Sequence, residues 1–254
     1  MTKKHLGQNF LYDSSILKRI IQSAGLSEED TVVEIGPGPG RLTRMLAETV
    51  KRLVAIELDP ELYERLKGDF IAYSNVEIIH GDALRFSFET IGEFKVVANI
   101  PYYITTPIIF RLLEAKEHLK SMTLTTQKEV AERIVAEPGG RDYGVLTIMI
   151  QYFAQPELMF IIPKEAFRPI PKVDSAVVHM KILERPRVML RDEKIFFRLV
   201  RTAFSQRRKT LSNSLKGISD NIKDVLLQSG IDPQRRPETL SLEEFARLSD
   251  YLAD

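Results

Sequence analysis

A parallel α/β sheet covered by helices, followed by a small all-helical domain, is the fold class this sequence predicts. Three observations predict it. Short, continuously apolar runs alternate with helical periods from Thr31 to about residue 136; glycines cluster where the first run meets a helix; and beyond Arg185-Pro186 the pattern changes to helices alone. Runs that are apolar at consecutive positions suit strands buried on both faces, whereas a half-exposed strand alternates.

Taken in order, Asp13 or Ser14 can cap a helix that carries Ile16, Leu17, Ile20, Ile21 and Ala24 on one face, and Gly25 can end it. TVVEI (31–35) reads as the first buried strand, with Leu42 to Val50 as its helix; LVAIE (53–57) and Glu61 to Phe70 form the next pair. VEIIH (76–80) follows, then FKVVAN (94–99) with Pro107 to Ala115, then SMTLTTQ (121–127) with Glu129 to Ala136. Crossovers of this kind are right-handed. VLTIMIQYF (145–153) fits a helix or a strand on periodicity alone. LMFIIP (158–163) and SAVVHMKI (175–182) read as strands near the sheet edge, separated by the proline-rich loop FRPIPKVD. The helices expected after them are Glu193 to Phe204, Thr210 to Leu215, Ile222 to Gln228 and Leu242 to Leu252, the last capped by Ser241. The change of pattern divides the chain into domains of residues 1–184 and 185–254.

With 254 residues, 44% of them hydrophobic, the chain can bury a substantial core. Cysteine is absent, which excludes a disulfide framework, a zinc ribbon, an iron–sulfur cluster and a thiolate nucleophile. MTKKHLGQNF leads into no signal-type apolar stretch, and no apolar run reaches the ~18 residues of a spanning helix, so a soluble cytoplasmic protein is expected. The net charge of +1 divides unevenly, −2 over residues 1–183 and +3 over 184–254. Arg201, Arg207, Arg208, Lys209 and Lys216 fall in one stretch without an acidic residue. A polyanion can use such a patch, and a solvated helix face explains it equally well.

The most informative segment is VEIGPGPG, Val33 to Gly40, between the first strand and its helix. Gly36, Gly38 and Gly40 permit a tight turn and let a ligand approach the main chain. A dinucleotide fold favours G-x-G-x-x-G with a pyrophosphate on the helix N-terminus. Here the spacing is G-x-G-x-G behind Glu34, an acid that disfavours a diphosphate and suits a ligand with a cationic end. That pattern resembles the nucleotide-like fold of S-adenosylmethionine (SAM) methyltransferases. Glu57, at the end of the second strand and 21 residues after Gly36, stands where doubly wound folds place a carboxylate for the ribose hydroxyls. Asp59 reads as the cap of the Pro60 helix. Asp82, after the third strand, can accept from the amino group of the cofactor's adenine.

The fourth strand ends in Asn99-Ile100-Pro101-Tyr102. Methyl transfer to an exocyclic adenine amine requires acceptors that hold the amine hydrogens and turn its delocalised lone pair toward the methyl group. The Asn99 side-chain oxygen and the Ile100 carbonyl, in a turn fixed by Pro101, can supply them, and the Tyr102 ring can stack on the base. Alignment then does most of the work, with neither metal nor covalent intermediate required.

These residues closely resemble those of the rRNA adenine N6,N6-dimethyltransferases, which modify two adjacent adenines near the 3′ end of small-subunit rRNA. The resemblance runs through LGQNFL (6–11), VEIGPGPG, IELD (56–59), GDAL (81–84), NIPYYITTPI (99–108), FRPIPKVDSAVV (167–178) and AFSQRRKTLSNSL (203–215). It implies a Rossmann-like class I SAM-dependent methyltransferase sheet and a pre-ribosomal particle as partner; no motif bears on the oligomeric state, and a monomer is expected. It further implies that Asn9 and Leu11 line the SAM pocket with Gly36, Glu57, Asp82 and Asn99, and that Phe167 and Tyr102 sandwich the flipped adenine. Arg201, Arg207, Arg208 and Lys209 would grip RNA phosphates. Related enzymes that methylate a large-subunit adenine and confer antibiotic resistance share NIPY; the AFSQRRKTLSNSL segment is similar to the small-subunit group.

Overall fold

The computed structural model describes residues 9–253, so Leu6 to Gln8 of the LGQNFL motif lie outside the described residues. The chain divides into two compact units, one running to Ala131 and resuming over Glu157–Ile182, the other comprising Glu132–Pro156 and everything from Leu183 onward.

The first unit is built on a seven-stranded sheet. Its strands are β2 (Thr31–Ile35), β3 (Arg52–Glu57), β4 (Val76–His80), β5 (Phe94–Asn99), β6 (Leu119–Gln127), β7 (Ala154–Ile162) and β9 (Ser175–Ile182). A separate two-stranded ladder joins β1 (Phe10–Leu11) to β8 (Phe167–Arg168). The sheet order is β4-β3-β2-β5-β6-β9-β7. The five strands from β4 to β6 pair in parallel, in registers such as Val33↔Val54 and Val33↔Val96, and β9 pairs antiparallel with β6 at Met122↔Met180. Parallel neighbours need helical crossovers. Helix α1 (Ser14–Ser23) precedes the sheet, and α2 (Arg41–Ala47), α3 (Pro60–Asp69), α4 (Thr105–Glu114) and α5 (Lys128–Val135) follow strands as the alternation predicts.

Local chemistry sets the ends of these helices. The Asp13 carboxylate, not Ser14, caps α1 by accepting from the Ser15 and Ile16 amides, and Asp59 caps α3 through Glu61 N with Pro60 in the first turn. The central strands lose nearly all contact with water: Val32, Val33, Val96, Val97 and Leu124 are fully buried, which is why no alternation marks them. From β2 the chain builds outward to β3 and β4, then returns to the far side of β2 as β5. That reversal leaves a crevice beyond the carboxyl ends of β2 and β5, where open α/β sheets bind ligands.

The second unit is helical: α6 (Val145–Phe153), α7 (Glu193–Ser205), α8 (Leu211–Ser214), α9 (Ile222–Gln228) and α10 (Leu242–Tyr251). Their shared core contains Tyr143, Tyr152, Phe196, Leu199, Leu226 and Phe245. VLTIMIQYF, which periodicity left open, is therefore a helix. Its Ile148 and Tyr152 enter the helical core, and Gln151 Nε2 donates to the Ile134 and Ala136 carbonyls. Residues 132–156, which include the end of α5 and the first residues of β7, thus group with the helical unit, whereas the sequence placed them in the 1–184 domain. Packing of α6 against α7, between residues distant in sequence, decides their membership. Ser241 caps α10 reciprocally with Glu244. Among the described residues no helix is long and apolar enough to cross a membrane.

Candidate active site

The crevice at the reversal of strand order is a cavity lined by the tips of four parallel strands. Glu34 and Ile35 come from β2, Ile56 and Glu57 from β3, Gly81 and Asp82 from the segment after β4, and Asn99 to Ile104 from β5 and the turn after it. Asn9, Phe10 and Leu11 close one wall.

Gly36 (φ +68°), Gly38 (φ +57°) and Gly40 (φ +78°) all occupy the left-handed region. At Gly38 space adds a second requirement: a Cβ there would stand 2.6 Å from the Phe10 ring. The turn these glycines make aims the Gly38 amide at Glu57, whose Oε2 accepts from it at 3.1 Å while Oε1 accepts from Asp59 N at 2.8 Å. Burial pushes the Glu57 carboxyl above its usual range, against these two amide bonds. A carboxylate has about four lone-pair sites, more than these amide bonds use, so it can still accept from a ligand. Asp82 is half-buried and accepts from Leu84 N at 2.9 Å through Oδ1, which fixes the carboxylate at the cavity wall.

Asn99 is oriented by its amide nitrogen, which donates to the Asn9 main-chain carbonyl at 3.1 Å. With the amino side so engaged, Oδ1 is the end available as an acceptor. Pro101 (φ −55°) shapes the turn, and its carbonyl accepts from Ile104 N at 3.1 Å. The Tyr102 hydroxyl shares a 2.7 Å hydrogen bond with that of Ser175, a fully buried residue at the start of β9. Burial also raises the Tyr102 phenol above its ordinary value, so it stays protonated.

Glu34 corrects the electrostatic argument made from sequence. Only 2% exposed, it carries one carboxyl oxygen with no hydrogen-bond partner, and burial pushes its pKa up to about 8. At neutral pH it is mostly uncharged, not a standing anion. An unpartnered carboxyl oxygen on the cavity wall, above a glycine turn open to the main chain, nevertheless fits a ligand with a cationic or donor-bearing end.

The family model described as "Ribosomal RNA adenine dimethylase" matches residues 1–254. The chain belongs to that family. It is accordingly an rRNA adenine methyltransferase with the class I SAM-dependent fold. Among similar proteins is the "Ribosomal RNA small subunit methyltransferase A" of Clostridium botulinum (strain Loch Maree / Type A3), 49% identical, covering 99% of this chain and 94% of its own. Two crystal structures are also similar. A dimethyladenosine transferase from Plasmodium falciparum has a TM-score of 0.81 and 29% identity, covering 94% of this chain and 95% of its own. The 23S rRNA methyltransferase ErmE has a TM-score of 0.78 and 28% identity, covering 97% and 100%.

Within this dimethylase, the cavity gathers Asn9, Leu11, Gly36, Glu57, Asp82, Asn99, Ile100, Pro101 and Tyr102. Phe167 is the exception. Its ring is fully buried among Leu11, Leu17, Ile20 and Val177, and β8 pairs with β1 at Leu11↔Phe167. As placed, it presents no face to a base. An aromatic beside a proline-rich loop reads the same whether it walls a site or fills a core, and here apolar neighbours on three elements make it core.

Of the cationic residues, Arg201, Arg207, Arg208 and Lys209 are all exposed on the helical unit. Arg207 differs from the rest: its guanidinium donates to the carbonyls of Arg141 and Tyr143, at 2.6 and 2.9 Å, and so ties down the loop before α6. Sequence reasoning missed Ser175 and Phe10, although both lie inside the motifs named above. Their roles depend on contacts with residues 73 and 28 positions away, which no local signal carries.

Proposed function

We propose that this enzyme transfers methyl groups from SAM to N6 of two adjacent adenines near the 3′ end of small-subunit rRNA, within a pre-ribosomal particle, acting as a monomer. The observation that carries this reading is the convergence of four strand tips on one cavity, with the Asn99 amide already turned by Asn9. SAM, when bound, supplies a sulfonium methyl that an amine nitrogen can take up directly. Glu57 holds the ribose hydroxyls and Asp82 the cofactor's adenine amine; Asn9, Leu11 and Gly36 close the pocket around them.

Asn99 Oδ1 and the Ile100 carbonyl accept the two hydrogens of the target amine. Holding both N–H bonds draws the nitrogen out of conjugation with the ring and presents its lone pair. Tyr102, steadied by Ser175, stacks on the extruded base, which must leave its helix to be reached at all. No described group has to act as a strong base, because the positively charged amine formed by transfer readily loses its proton to water. Arg201, Arg208 and Lys209, with Arg207, contact phosphates without reading sequence.

The likeness to ErmE favours one alternative, an adenine of large-subunit rRNA. The Clostridium botulinum relative named for the small subunit is 49% identical over nearly the whole chain, against 28% for ErmE, and supports the first reading. The test is incubation with labelled SAM and both under-methylated subunits, followed by mapping of the label by primer extension. Label on adjacent adenines of small-subunit RNA is expected; label confined to large-subunit RNA overturns the assignment.

A further inference from the structure

The mechanism above leaves Tyr103 without a task. It lies in the same one-turn helix as Tyr102, Tyr102–Ile104, and lines the same cavity, yet it is 56% exposed. Tyr102 points its phenol inward to Ser175, whereas Tyr103 makes no hydrogen bond or ring contact among the described residues. The turn that carries it is firm: Ile104 N donates to the Pro101 carbonyl, and Thr105, which begins α4, is 1% exposed and accepts from the Thr126 hydroxyl. A large ring is thus displayed in water from a fixed backbone at the rim of the site. Arg41, on the wall of the same cavity, holds its guanidinium 4.6 Å over the exposed Tyr12 ring, so the rim also carries a cation.

We propose that Tyr103 forms a second base-binding subsite, a stacking platform for the nucleobase that flanks the target adenine in the RNA strand. The inference rests on the reading that an RNA adenine enters this cavity. Extrusion of one base costs its neighbours a stacking partner. A solvent-facing tyrosine next to the target-binding tyrosine restores that partner for the neighbour, and it does so without choosing among bases, because every base has a π-face. Arg41 gives the same stretch of strand a phosphate partner. Tyr102 would then hold the target base while Tyr103 keeps its neighbour in step.

Small subunits reconstituted on RNA with a natural or an abasic nucleotide on either side of the target test this. Tyr103→Ala should raise KM for natural subunits on the order of tenfold. Tyr103→Phe and Tyr103→Trp, which keep an aromatic face, should stay within about twofold, and KM for SAM should not move in any of the three. On subunits abasic at one flank, wild type and Tyr103→Ala should become indistinguishable. An unchanged KM in Tyr103→Ala, or a deficit of equal size on both abasic substrates, overturns the subsite. Failure of the wild type to methylate natural subunits overturns the underlying reading itself, a result that none of the Tyr103 variants can mimic.

Discussion

At the scale of single residues, the site is a set of side chains whose orientation is fixed by groups that do no chemistry. Asn99 is turned by a main-chain carbonyl, Glu57 by two amides, Tyr102 by a serine hydroxyl. On the proposed reading Asn99→Ala removes the acceptor for the target amine, and it should lower kcat by about 10²- to 10³-fold while leaving binding of the ribosomal particle intact. Parallel loss of binding would show that Asn99 serves the interface as well. Ser175→Ala and Tyr102→Phe each delete one end of the same hydrogen bond, so each should lower kcat by roughly fivefold, and the double variant should be no worse than either. Additive losses would show that the pair does not act as a unit. Glu34 gives a pH dependence. Its carboxyl keeps a proton in the folded protein up to about pH 8, whereas the unfolded chain sheds it near 4.5. The stability it contributes is therefore complete below pH 4.5 and lost as pH rises toward 8. Over that window Tm should fall in the wild type and fall less in Glu34→Gln; equal slopes would contradict the assignment.

At the scale of elements, the alternation of buried strand and helix was legible because β2, β3, β5 and β6 are buried along nearly their whole length and so read as continuous apolar runs, whereas the edge strand β4 keeps Glu77 and His80 exposed. The three glycines were legible as a ligand-approach turn for a different reason: their positive φ angles exclude most side chains, whatever the rest of the protein does. Short or context-dependent elements were not legible. β1 and β8 have two residues each, too few for any period, yet their pairing buries Phe167 and sets Phe10 against Gly38. Helix α6 is apolar nearly all round and shows no face, so only its packing onto α7 identifies it. Gly38→Ala should cost about 1 kcal/mol or more in urea denaturation, as it forces φ and displaces the Phe10 ring, and should weaken SAM binding measured by calorimetry. An unaltered affinity would separate the turn from the cofactor.

At the scale of the whole molecule, the two units differ in what they carry: a sheet whose strand tips line the cavity, and a helical unit with Arg201, Arg207, Arg208 and Lys209 exposed. The sequence showed the charge asymmetry and the shift to helices after residue 184. It could not show that residues 132–156 join the helical unit, because the packing that recruits them links distant segments. The same limit applies to Arg207, which counts as one more cation in the sequence but bonds to two carbonyls in the structure. Arg208→Ala should therefore flatten the salt dependence of particle binding by about 0.9 for each phosphate it no longer neutralises in a duplex-like site, without altering Tm. Arg207→Ala should lower Tm as well, since it frees the loop before α6. A slope unchanged in both variants would remove this face from the interface.

The central claim is that consecutive strand tips place the methyl donor beside the acceptors for an adenine amine. A crystal structure with S-adenosylhomocysteine tests it most directly. The ribose hydroxyls should lie on Glu57, the adenine amine on Asp82 and the sulfur facing Asn99. A ligand lodged elsewhere on the chain, or a cavity that stays closed to it at saturating concentration, would contradict the account.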